Sequence, residues 1–276
     1  MAASTISIID THLHVLQPSR FHYHWLKAGS WLDRNFGIDD VLEEMKSLGV
    51  MGGILIEATN TPEEIPWLLE VSETSDLHWG VIGWIHLEQM DAPKQITHFA
   101  QHPHFKGVRL NWLEARLQTS SLYSAMQVIK TSNLIVDVLT RWEHLPDILI
   151  FMRNYPQVSF VLDHLAGIPL TTAMLATWQT VIRPFSTLPN VTLKISGYSF
   201  SSEHTSEKTA LVDYLQSAVD LFGSNRLMFG SNYPMFLNTA TYTTTFTQLY
   251  EASAFLSESA RSALFCKTAE KIYHLS

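Results

Sequence analysis

Three features of the sequence predict an α/β fold built as a (β/α)8 TIM barrel. Eight short apolar runs begin near Ile6, Gly53, Trp79, Lys106, Leu134, Val158, Val191 and Arg226. Stretches with helically spaced apolar residues separate them, so strand and helix alternate along the chain. The runs are nearly continuous rather than alternately apolar and polar, the pattern of strands buried on both faces. An open doubly wound sheet would instead carry a glycine-rich phosphate turn, and neither G-x-G-x-x-G nor G-x-x-x-x-G-K-[ST] occurs at a strand-to-helix junction.

With 276 residues, 46% hydrophobic and 16% charged, the chain can bury a large core. No Gly/Ser/Pro-rich linker or charge block divides it, so one domain over residues 1–276 is expected. The net charge of −8 argues against a general nucleic-acid binder, which needs a basic footprint. Cys266 is the only cysteine, which excludes an intramolecular disulfide and a thiolate metal cluster and fits a reducing compartment. The first residues lack a basic segment followed by an apolar one, and no run approaches the ~18 apolar residues of a membrane span. These features describe a cytoplasmic protein with a small-molecule substrate and neither nucleic acid nor membrane as partner. A homo-oligomer is left open.

The elements follow in order. I-I-D-T-H-L-H, residues 8–14, is the first strand, and its end places His12 and His14 on one face because i and i+2 point the same way. Residues 16–36 are polar, aromatic and unperiodic, as in a lid or binding loop, with His22, Tyr23, His24 and Trp25 crowded together. Ile38 to Leu48 reads as a helix capped by Asp39 or Asp40 and ended by Gly49. Further helices are expected over Pro62–Ser75, Ala92–Gln101, Ser120–Thr131, His144–Asn154, Thr172–Ser186, Thr205–Phe222, Ala240–Ala254 and Ser257–Tyr273.

In a barrel, polar residues at the carboxyl ends of the strands converge on one cavity. Here these are His12 and His14, Glu57, His86, Arg109, Thr140 with Arg141, Asp163 with His164, Lys194 with Ser196, and Ser231 with Asn232. Imidazoles and guanidiniums together suit a metal, a carboxylate or a developing oxyanion. Plainer roles compete at several positions. Glu57 is as well suited to capping a helix, Asp163 to bonding a turn, His86 to the rim, and Lys194 to pointing outward between helices. His164 follows an apolar strand and precedes L-A-G-I-P, a placement that favours chemistry.

The motifs I-D-T-H-L-H, G-V-I-G-W-I-H-L, K-G-V-R, V-L-D-H-L-A-G-I-P, L-K-I-S-G, R-L-M-F-G-S-N-Y-P and the closing K-T-A-E-K-I-Y-H-L resemble the amidohydrolase superfamily. The match is to the amidohydrolase-2 group of sugar-lactone hydrolases and 2-pyrone-4,6-dicarboxylate lactonase. The resemblance implies that His12, His14 and His164 surround the reacting carbonyl. It also implies an aspartate after the eighth strand that activates water, whereas this chain has Asn232, whose amide cannot accept that proton.

A hydrolase that opens a small lactone of a sugar acid or a pyrone-type aromatic acid is therefore expected. His164 is the first candidate for the base, Asn232 orients, and Arg109 and Arg141 bind a carboxylate or polarise the carbonyl. His86, Tyr23, His24 and Trp25 contact substrate, the last three as the roof. With an amide in place of an anionic ligand, a divalent ion (Zn²⁺ or Mn²⁺) on His12 and His14 is expected to bind weakly or not at all. The alternatives are a metal-dependent nonoxidative decarboxylase of the same group and a noncatalytic small-molecule-binding barrel.

Overall fold

The computed structural model describes residues 6–112, 120–198 and 205–275. Its sheet runs β1 (Ile8–Leu13), β2 (Val50–Ile56), β3 (His78–Trp84), β4 (Phe105–Asn111), β5 (Ile135–Leu139), β6 (Ser159–Leu162), β7 (Val191–Ile195) and β8 (Leu227–Phe229). The spatial order is the chain order, and each consecutive pair is parallel. Parallel neighbours require crossovers, and the helices supply them.

Closure between β8 and β1 depends on a few specific bonds. Thr11 Oγ1 donates to the Phe229 carbonyl at 2.6 Å, the Asn232 N–H to the His12 carbonyl at 2.7 Å, and the His14 N–H to the Tyr233 carbonyl at 2.8 Å. The buried Asp10 carboxylate joins the same seam, accepting the Ser231 N–H at 2.8 Å and the Tyr242 hydroxyl at 2.9 Å. The residues that close the barrel thus also set the positions of His12, His14 and Asn232.

Because strand side chains alternate in direction, the apolar residues form two cores. Ile9, Ile54, Ile56, Ile82, Ile135, Val161 and Met228 fill the bore, while residues such as Leu55, Val81, Val108 and Leu193 pack between sheet and helices. The bore is stoppered by the C-terminal helix Thr268–Tyr273. Its Tyr273 hydroxyl lies 2.9 and 3.1 Å from the two oxygens of Asp137, and Asp137 in turn pairs with the fully buried Lys194.

The helices lie where their apolar spacing puts them, Ser120–Thr131 with the expected bounds. The first differs in its start. Neither Asp39 nor Asp40 caps it: Asp40 accepts the Gly37 N–H at 2.8 Å, and the helix runs Leu42–Leu48 with no side-chain cap. Gly49 ends it at φ 86°, a conformation that favours glycine. No helix among the described residues is long and apolar enough to cross a membrane.

Replacing Tyr273 by Phe removes the hydroxyl that bonds a buried carboxylate. It is expected to lower stability by about 1.5–3 kcal/mol, read from the shift in urea midpoint at unchanged slope.

Candidate active site

The carboxyl ends of the strands enclose a cavity of about 360 Å³ lined by His14, Glu57, Arg109, Asn111, His164 and Asn232. His24 and Trp25 line it from the 16–36 loop, and Ala58 and Asn60 from the turn after β2. The loop is clasped at its neck by reciprocal Leu16–Phe36 backbone bonds of 2.8 and 2.9 Å. Trp25 docks on the turn by donating its indole N–H to the Ala58 carbonyl at 2.7 Å.

The site is held together at Asp163, which follows β6. Its Oδ2 accepts Arg109 Nε at 3.2 Å, and its Oδ1 lies 3.2 Å from Lys194 Nζ and 3.4 Å from His12 Nδ1. Burial opposes its charge, yet Lys194, His12 and Arg109 hold the carboxyl well below the usual carboxylate range. Arg109 also lies 3.6 Å from Glu57 Oε1, so its charge is balanced from two sides. Glu57 lines the cavity and caps no helix: its Oε2 accepts the Asn60 N–H at 3.0 Å in the turn before the helix, which has no side-chain cap.

The histidines are neutral for a common reason. Burial depresses His14 to about 3 with Arg109 adding to the effect, and it depresses His164 to about 4 although Asp163 pulls the other way. Burial likewise holds His12 well below its ordinary value. His14 Nδ1–H donates to the Ile56 carbonyl at 2.9 Å, which leaves Nε2 as the lone-pair atom, 3.2 Å from His12 Nε2. The His164 ring lies 4.3 Å from that of His12, and its Nδ1 shares a 2.9 Å hydrogen bond with Ser196 Oγ. Gly197, at φ 73°, lets the backbone pass this ring: a Cβ there would meet it at 2.9 Å.

A divalent ion fits this donor set. His12, Asp163 and His164 offer ligand atoms within 4.8 Å of one another, and the Nε2 atoms of His12 and His14 converge at 3.2 Å. Neutral imidazole nitrogens beside an anionic oxygen suit zinc.

Other expected residues lie elsewhere. Arg141, 64% exposed, pairs with Glu143 at 3.2 Å and does not line the cavity. His86 does not line the cavity and lies beside Glu88, its ring against Trp84. Tyr23 is buried behind Trp25, its hydroxyl oxygen accepting the Gln17 N–H at 2.8 Å, so it supports the roof rather than facing the cavity. Lys194 points into the bore and not outward between helices, because Asp137 and Asp163 receive its charge. Sequence reasoning passed over Asp10 and Asp137, whose signal was a lone carboxylate inside an apolar strand.

The amidohydrolase family model matches residues 9–275. The chain belongs to that family. It is 28% identical over 238 residues to L-fucono-1,5-lactonase of Burkholderia ambifaria, covering 82% of this chain and 80% of that protein. It is 27% identical over 289 residues to L-fucono-1,5-lactonase of Burkholderia multivorans, covering 97% and 96%. A Burkholderia multivorans amidohydrolase crystallised with bound zinc superposes with a TM-score of 0.88 at 26% identity, over 98% of this chain and all of that one. In the present chain Asn232 lines the cavity just past β8.

One acid beneath the wall gives the site a pH-dependent stability. Glu64 Oε2 accepts the Ala58 N–H at 2.8 Å and so braces the turn under Trp25. Burial, with Glu57 nearby, pushes its carboxyl up to about 8. The folded chain therefore keeps a proton that the unfolded chain loses above pH 4.5. The associated stability is full below that pH and disappears as pH rises through about 8. Glu64→Gln, which does not titrate, is expected to gain Tm relative to the parent progressively from pH 5 to pH 8.5 in thermal melts.

Proposed function

We propose that this chain hydrolyses a small neutral sugar-type lactone by attack of water on the ring carbonyl. The observation that carries the choice of substrate is the double pairing of Arg109 with Glu57 and Asp163 inside the cavity. The rest of the described wall offers hydrogen-bonding groups, the amides of Asn60, Asn111 and Asn232 and the neutral imidazole of His164, suited to hydroxyls. With Arg141 outside, no described cation in the lining is left unbalanced for a substrate carboxylate. This favours a polyhydroxylated ring over a pyrone dicarboxylate, and the kinship to L-fucono-1,5-lactonases supports the same class.

Arg109 donates to the carbonyl oxygen and stabilises the oxyanion as water adds. His164, neutral at pH 7, hands Nδ1–H to Ser196 and takes the water proton on Nε2. It then returns that proton to the ring oxygen as the C–O bond breaks, and an open-chain hydroxy acid leaves. Asn232 orients the water or a substrate hydroxyl without accepting its proton. Trp25, 40% exposed, offers an apolar face to the sugar ring. His12 and His14 would hold a divalent ion, and such an ion would supply Lewis-acid polarisation of the carbonyl.

A pH-indicator assay over sugar lactones and a pyrone dicarboxylate, with and without Zn²⁺, tests this. Opening of the neutral lactones is expected, with His164→Ala reducing kcat about 10²–10⁴-fold. Preference for the dicarboxylate overturns the charge argument, and near-normal turnover in His164→Ala removes the base. A panel flat for both the parent and Asn232→Asp overturns the lactonase reading.

A further inference from the structure

Lys194 is fully buried and does not line the cavity, yet its Nζ reaches His12. Its ammonium has three N–H donors, and three acceptors surround it. These are Asp137 Oδ2, Asp163 Oδ1 at 3.2 Å and His12 Nδ1 at 3.4 Å. His12 Nδ1 has a second suitor, because Asp163 Oδ1 also lies 3.4 Å away and has no aligned hydrogen bond of its own.

The far side of the ring decides between them. His14 has given its Nδ1–H to Ile56, so its Nε2 presents a lone pair to His12 Nε2 at 3.2 Å. Two lone pairs at that distance repel. One remedy puts a proton on His12 Nε2, which donates to His14 while His12 Nδ1 accepts from Lys194. The other gives both lone pairs to one cation, with His12 Nδ1–H turned to the waiting Asp163 Oδ1.

We propose that Lys194 and Asp163 make His12 a tautomer switch: Lys194 stabilises the ion-free arrangement, Asp163 the arrangement that holds a divalent ion. The proton count of His12 is unchanged, since Nε2 releases a proton to solvent as Nδ1 takes one up. Lys194 is thus a positioning residue that weakens ion binding by competing for His12 Nδ1. The outer partner of a ligating imidazole sets its affinity, and here a cation and an anion contend for that place. The proposal rests on reading His12 and His14 as the ion-holding pair.

The test uses full-length, chelator-treated protein with ¹⁵N-labelled histidine. Long-range ¹H–¹⁵N correlation spectra, assigned with His12→Gln, report which ring nitrogen bears the proton. Without zinc, His12 is expected to be protonated on Nε2 and His14 on Nδ1; with zinc, His12 moves to Nδ1. In Asp137→Asn/Lys194→Met, which removes both partners of the buried pair, His12 is expected on Nδ1 without zinc. Zinc affinity, by competition with a chromophoric chelator, should then rise about 10-fold or more.

Zinc that leaves both rings' shifts unchanged overturns the ion-pair reading itself. A zinc-free parent with His12 protonated on Nδ1, its rings still responding to zinc, overturns the switch alone, as does unchanged zinc affinity in a folded double variant. The parent spectra decide the matter even if that variant fails to fold.

Discussion

The carboxylate of Asp163 is the constraint on which the rest of the site depends. It is fully enclosed, and such an ion is stable in a protein interior only when opposite charge and hydrogen bonds replace its water. Arg109 from β4, Lys194 from β7 and His12 from β1 supply that compensation. One acid thereby draws together three strands distant in sequence. It aims a guanidinium at the cavity, keeps an ammonium in the bore and touches the ring that faces His14. Removing one partner of such a group costs about 3–5 kcal/mol, so the arrangement is stiff as well as polar.

That stiffness suits the proposed chemistry. Catalysis by fixed dipoles and charges requires that they be in place before the oxyanion forms. Arg109 is held at Nε by Asp163 and on its NH1 side by Glu57, which leaves little room for reorientation. Burial keeps the three imidazoles neutral, so each retains a lone pair for a proton or an ion. The roof is pinned to the turn after β2 by the Trp25 indole hydrogen bond and closed at its neck by two backbone bonds.

Much of the barrel was legible because its cause is local. Nearly continuous apolar runs such as L-I-V-D-V-L mark strands buried on both faces, and helices show as an apolar stripe with a period of 3.6 residues. His12, His14, His164 and Asn232 were legible through their motifs, and the barrel geometry says that strand ends converge. Arg141 was misleading for a physical reason: it stands just past β5, where the chain has already left the cavity, and its long side chain pairs with nearby Glu143 in solvent. Lys194 misled in the opposite direction. A lysine is expected outside, and only Asp137 and Asp163 on neighbouring strands make its burial tolerable.

The sequence by itself determined the succession of strands and helices, the barrel and the set of polar groups at its open end, since each follows from short-range pattern and chain connectivity. The tertiary structure alone decided which charges cancel. Glu57 and Asp163 neutralise Arg109, Asp137 and Asp163 neutralise Lys194, and Asp10 ties β8 to β1. Those pairings join residues tens to hundreds of positions apart, and electrostatic energy depends on their distance and burial in space, quantities that a linear order of residues does not contain.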